Sequence, residues 1–171
     1  MTTERGRDIV VGVDHSAVSV AALRWAADEA ATSGRRVVAL RAWTFEPVYD
    51  LGAAVAGTPQ AAEEIQRREL DDVVAQVQHD HPAVEIQGRL VEHSPTAALE
   101  DASRTASMIV LGSHGRGRLL NMLVGSVAEH CLREASCPVV VIPARTVPEP
   151  EKVPERVPAD LEGTYYPGPL L

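Results

Sequence analysis

Aromatic side chains are scarce in this sequence, at 4% of 171 residues against 45% hydrophobic residues overall. A core must therefore be built from Val, Ala, Leu and Ile, a mix that suits helices layered on a sheet. Cysteine is nearly absent: Cys131 and Cys137 are too few for a disulfide framework and wrongly spaced for a CxxC redox or zinc motif, so both are expected to be ordinary thiols. Positive charge is short as well, with 16 Lys and Arg against 24 Asp and Glu and a net charge of -8. That balance argues against a nucleic-acid-binding surface, which leans on clustered cations, without excluding one small basic pocket. No apolar run approaches the ~20 residues that span a bilayer, and "MTTERGRDIV" lacks the apolar centre of a secretory signal. No membrane partner and a cytoplasmic location are the expectation. The length suits one ordinary domain of about 100–150 residues.

What is present alternates. "DIVVGVD" (Asp8–Asp14) reads as a buried strand, followed by Val18, Ala21, Ala22, Trp25, Ala26 and Glu29 at helical spacing, with Gly34 as the stop. "RRVVALRAW" (Arg35–Trp43) is a second strand. The stretch Thr44–Pro59 carries prolines and glycines and reads as a long connection, of a length that is usually functional or mobile. Gln60–Asp80 is the clearest helix, with Ile65, Leu70, Val73, Val74 and Val77 on one side, closed by Pro82. Ala83–His93 reads as a strand, Ser94–Ala106 as a helix with Ser94 at the N-cap and Pro95 at its first position, and Ser107–Ser113 as a strand. A helix to about Arg133 and a last strand, Cys137–Pro143, complete five strands and four helices.

Strands this continuously apolar, alternating with helices, predict an α/β fold: an open, doubly wound, five-stranded parallel sheet of order 3-2-1-4-5 with helices on both faces. Ligands of such sheets bind outside the carboxyl ends of the strands where strand order reverses, which makes the Asp14 and Gly112 turns neighbours. The domain is expected to span residues 8–143, after a disordered start at 1–7. The proline- and charge-rich 144–171 is expected to be an extended or disordered tail whose end, "YYPGPLL", is apolar enough to dock.

Glycines collect in "VLGSHGRGRLLNMLVGSVAEH" (Val110–His130). Glycine costs about 0.5–1 kcal/mol relative to alanine inside regular structure, so the cluster meets a turn, a packing need or the close approach of something outside the chain. The stretch has no lysine for a Walker A loop, Leu120 interrupts a GxGxxG fingerprint, and no GxSxG elbow is formed. Gly112 and Gly115 can turn backbone N–H groups toward one spot as an anion nest, while Gly125 and Ser126 stand at a helix start. Arg116 and Arg118 would add charge. The competing explanation for Ser126 is a capping box with Glu129, and for Gly125 a simple turn.

The spacing Gly112-x-x-Gly115, nine residues, then Gly125-Ser126, after the fourth strand of such a chain, resembles the ATP-binding signature of the universal stress protein family. The likeness runs from Asp8 to Pro143 and includes "VGVDHSAVSVAAL", "VLGSHGRG" and "LVGSVAEHCLREASCPVVVIP". The resemblance implies a five-stranded sheet, binding of an adenosine nucleotide, ATP with a possible Mg, and a homodimer through the last strand, Pro138 to Ile142. It implies phosphate contacts from Gly112, Ser113, His114, Gly115, Arg116, Gly117, Arg118, Gly125, Ser126 and Val127. Gly12, Val13 and Ala42 would frame the adenine, and Asp14 would face the ribose or a phosphate-bound metal, unless Asp14 is only a helix N-cap, a role for which Ser16 competes. His15 stands where many members carry glycine.

His79, Asp80 and His81 are metal-ligand types, but they sit at a helix end before Pro82 with no further ligand set, and no metal site is expected there. No catalytic set is evident. The leading expectation is a nucleotide-binding regulatory protein; a slow ATPase or nucleotidyl-transfer enzyme, and a nucleotide-free dimeric scaffold with the tail recruiting a partner, are the alternatives.

Overall fold

The computed structural model of the chain describes residues 8–45, 58–114 and 124–144. The expected disordered start, most of the long connection, the tail beyond Ala144 and, within the glycine stretch, Gly115, Arg116, Gly117 and Arg118 lie outside these residues. The elements are β1 (Asp8–Gly12), α1 (Ala17–Ser33), β2 (Arg36–Trp43), α2 (Pro59–Asp80), β3 (Ile86–Glu92), α3 (Pro95–Ser103), β4 (Met108–Gly112), α4 (Ser126–Glu134) and β5 (Val139–Ile142). All strand pairs are parallel and the order is β3-β2-β1-β4-β5. The α/β architecture and strand order expected from the alternation of elements are the ones observed.

Successive strand residues face opposite sides of a sheet, and both sides are covered here. Ile9, Val11, Val37, Ala39 and Val110 pack beneath α1 and α2, against Leu23, Leu70, Val73 and Val77. Val10, Val38, Leu40, Ile109 and Leu111 pack on the other side, against Leu99, Ala128 and Cys131. Each Val, Leu or Ile fully buried this way contributes roughly 1.5–3 kcal/mol, and small Ala22, Ala26, Ala27 and Ala30 on α1 let that helix lie close to the strands. Trp25 departs from the expected apolar stripe. It stays 37% exposed, because at about 100° per residue it lies on the side of α1 opposite Leu23 and the alanines that face the sheet.

The helix ends follow their sequence signals. Ser16 caps α1, its Oγ accepting from Ser19 N–H at 3.2 Å, and Gly34 closes it in the left-handed region at φ 67°. Thr58 and Ser94 cap α2 and α3, each followed by proline. At the far end of α2, Gln78 Nε2 donates to the carbonyls of His81 and Val84, and His81 Nε2 pairs with Asp28 of α1 at 2.9 Å. That pair locks two helices over the same face. Protonated His81 is favoured, first by the Asp28 hydrogen bond and then by the Val77 carbonyl, which together hold its pKa above the usual histidine value.

Candidate functional site

Strand order reverses between β1 and β4, and a cleft of about 670 Å³ opens there at the carboxyl ends of the strands. Gly12, Val13, Asp14, Ala42, Gly112, Ser113, His114, Gly125, Ser126 and Val127 all line it. Every expected site residue that the structure describes is thus brought to one wall or another of a single concavity. Its lining is mostly apolar, with Leu40, Leu99 and Leu111 forming the floor and Asp14 supplying the carboxylate among the described residues.

Asp14 is expected to act either on a ligand or as a helix cap, and Ser16 takes the cap. Asp14 Oδ1 accepts from Ser16 N–H at 3.1 Å and from Ser16 Oγ at 2.6 Å, so the carboxylate braces the residue that starts α1. The Asp14 N–H donates to Ser19 Oγ at 3.3 Å. β1 stops at Gly12, two residues short of the expected Asp14, because His15 turns the chain at φ 68°. A residue with a Cβ there is held in a conformation that costs roughly 1–2 kcal/mol relative to the right-handed region, and glycine would carry less of that cost.

Parallel pairing exposes one backbone pair beside Asp14. Val13 N–H donates to Leu40 O at 3.0 Å, which puts Leu40 on the β1 side of β2, and Ala42, two residues on, on the same side. β1 has ended by then. The N–H and C=O of Ala42 therefore look past the end of β1 into the cleft.

The glycines divide by purpose. A Cβ at Gly112 would lie 2.8 Å from Val18 Cγ1 and 3.2 Å from the Val18 carbonyl carbon, so Gly112 is needed for α1 to cross β4. Gly125 is different. Its φ of -74° and ψ of 161° suit any residue, and among the described residues an added Cβ would meet nothing closer than Ser113 O at 3.4 Å. Neither the backbone angles nor packing among the described residues demands glycine at 125.

Gly125 is also the N-cap of α4, with Ser126 as the first helical residue, and no side chain caps this end. The expected Ser126–Glu129 capping box is therefore not formed: the box requires the serine to be the half-helical residue, and that position is one earlier, where Glu129 N–H donates to Gly125 O at 2.9 Å. The first-turn N–H groups of α4 and its positive dipole end point into the cleft. Ser113 ties the two glycine pieces together. Its carbonyl accepts from Gly125 N–H at 2.6 Å, its N–H donates to Ile142 O at 2.8 Å, and its buried Oγ accepts from Ala144 N–H at 3.0 Å and bonds His114 Nδ1 at 3.0 Å.

Sequence reasoning missed Ser19, Arg41 and Gln66, all of which line the cleft. Arg41 carried a signal, a charge inside the apolar run "VVALRAW"; Gln66 carried none. Among the described residues no group of three or more His, Cys, Asp or Glu is arranged to hold a metal, and no helix is long and apolar enough to cross a membrane. His79, Asp80 and His81 end α2 without assembling a ligand set. Cys131 is buried, which pushes its thiol up to about 11, and neither cysteine forms a disulfide.

A sequence model of the universal stress protein family matches residues 6–143. A universal stress protein of Mycobacterium tuberculosis is 37% identical over 134 residues, 78% of this chain and 44% of that protein, so the chain spans less than half the length of such relatives. Among solved structures, a universal stress protein family member from Burkholderia pseudomallei is 35% identical with a TM-score of 0.61, the match covering 84% of this chain and 100% of that one. A universal stress protein solved in complex with cAMP is 24% identical with a TM-score of 0.59, over 79% of this chain and 94% of the other. The matched span takes in every described strand and helix together with the cleft between β1 and β4, and the chain belongs to the universal stress protein family.

Proposed function

We propose that the chain binds an adenosine nucleotide, ATP in the first instance, in the cleft between β1 and β4, and acts as a nucleotide-dependent regulatory protein. The observation that carries this reading is Gly125, a glycine that no turn or packing contact among the described residues requires, at the N-terminus of α4, which no described side chain caps. A missing Cβ there leaves room for a ligand against the backbone, and the first-turn N–H groups with the helix dipole favour an anion. Gly112, Ser113, His114, Gly125, Ser126 and Val127 would surround the phosphates, with Gly115, Arg116, Gly117 and Arg118 completing the loop.

The far end of the cleft suits a base. The Ala42 N–H and C=O, side by side, match the acceptor and donor on one edge of adenine, and Val13, Leu40 and Leu99 offer apolar faces. Asp14, which braces Ser16 through Oδ1, would face ribose hydroxyls or, with phosphate oxygens, a bound Mg. A Mg ion would supply charge neutralisation at the phosphates. Phosphoryl transfer also needs a positioned base or water-orienting group. Asp14 braced on Ser16 and His114 bonded to Ser113 are not arranged as one, which favours sensing over catalysis. The cAMP-bound relative supports an adenosine ligand for the fold.

We further propose a cytoplasmic homodimer built on the domain 8–143. β5 is an edge strand whose Val139, Val140 and Val141 are half-buried, and pairing of two such edges would cover them. The experiment is thermal unfolding of the full chain with and without ATP, followed by product analysis. With a Kd near ~10 μM, 1 mM ATP stabilises the fold by about 2.7 kcal/mol and raises the melting temperature by several degrees, with ATP recovered intact. No shift at 1 mM would remove the nucleotide reading; ADP formed by the wild type and abolished in Asp14→Asn would replace sensing by catalysis.

A further inference from the structure

Arg41 is a cation placed inside a strand, with 5% of its surface exposed. A guanidinium is buried at high cost unless its donors are met. Here α2 meets them: Nε donates to Gln66 Oε1 at 2.8 Å and Nη2 to the Glu69 carboxylate. Gln66 and Glu69, three residues apart, share one face of the helix. Glu69 balances the charge. Gln66, being neutral, does something else.

A guanidinium carries only donors, so the Gln66 atom that faces it must be the carbonyl oxygen, and the orientation of the amide is fixed by chemistry. The NH2 group is what Gln66 has left to offer. It makes no hydrogen bond to any described residue, and the side chain lines the cleft on the side where Arg41, Ala42 and Trp43 bring β2 to its end. A buried arginine, paired with a partly exposed Glu69, thus holds an amide donor at the base end of the pocket.

We propose that Gln66 is a specificity-determining residue that donates to a ring nitrogen of a purine base, and that Arg41 is the residue that positions it. This rests on the nucleotide reading above. A purine carries acceptor nitrogens on both of its rings, so one ring is read by the Ala42 backbone on β2 and the other by Gln66 on α2. A pyrimidine has a single ring to offer. Arg41 acts on Gln66 by denying the amide its alternative orientation.

The test is titration of wild type, Gln66→Leu and Arg41→Lys with ATP and with CTP, which share their phosphates, alongside melting of the ligand-free proteins. Gln66→Leu is expected to weaken ATP by about 3–10-fold, the range for one neutral hydrogen bond, with CTP binding unchanged; because it also takes the acceptor from buried Arg41 Nε, the ligand-free protein should melt a few degrees below wild type, a loss that falls on both titrations alike. Arg41→Lys keeps a cation for Glu69 but loses the planar fork, and lowers the ATP-to-CTP ratio by a smaller factor. Equal weakening of both nucleotides, or an unchanged ratio in Gln66→Leu, overturns the inference while leaving nucleotide binding intact. A wild type that binds neither nucleotide removes the nucleotide reading, and this inference with it.

Discussion

Gly112 and Gly125 look alike in the sequence and differ in what surrounds them. Gly112 has Val18 against the place where a side chain would go, so Gly112→Ala forces α1 off the sheet and should cost about 1–3 kcal/mol of stability, read by denaturant unfolding. The change acts on the fold before it acts on any ligand. Among the described residues Gly125→Ala meets only ordinary contact with Ser113 O, and its unfolding free energy should stay within about 0.5 kcal/mol of wild type. The sequence shows a cluster of glycines but cannot sort them, because the distance from position 112 to Val18 exists only after the chain has folded. Asp14 is a similar case. Its contact with Ser16 makes alanine a poor probe, whereas Asp14→Asn keeps an oxygen for the Ser16 N–H and removes the charge.

At the level of elements, the strands and helices were legible because apolar periodicity and the punctuation of Ser94-Pro95, Gly34 and Pro82 act locally. The ends were less so. Ser126-x-x-Glu129 has the composition of a capping box, yet α4 takes Gly125 as its cap, and residue types alone do not decide which of two neighbours stands half inside a helix. β1 stops early for a comparable reason, since the turn at His15 belongs to the backbone. Between α1 and α2 the Asp28–His81 pair gives a pH dependence with a definite sign. The folded-state pKa of His81 lies above its unfolded value of 6.5, so the pair's contribution is full below about pH 6.5 and is lost as pH rises through the folded value. Asp28→Asn should therefore narrow the difference in melting temperature between pH 6 and pH 9 relative to wild type; an unchanged difference would remove this pair from the pH response. Because Asp28 is well exposed, the effect is small.

For the molecule as a whole, the five-stranded order places Gly112, Gly125, Ser126, Asp14 and Ala42 around one cleft although they are scattered over more than 100 residues. The doubly wound topology made that convergence readable in advance. It did not reveal the Arg41–Gln66–Glu69 group, since a polar contact between a strand and the following helix leaves no periodic trace. The other whole-molecule expectation is assembly: an edge strand as apolar as β5 should pair, and light scattering at micromolar concentration should give twice the mass of one chain. A lysine at Val140 should return it to a single chain; a wild type already of single mass would contradict pairing through β5.

The central claim is that the glycine at 125 serves a ligand and not the fold. Isothermal titration of the full-length wild type and Gly125→Ala with ATP, at equal folded fraction, tests it most directly. Saturable binding by the wild type is expected, with an affinity at least ~10-fold weaker in Gly125→Ala, a loss of about 1.4 kcal/mol, and no matching loss of stability. Equal affinity in the two proteins, or no heat from the wild type at millimolar ATP, would contradict it.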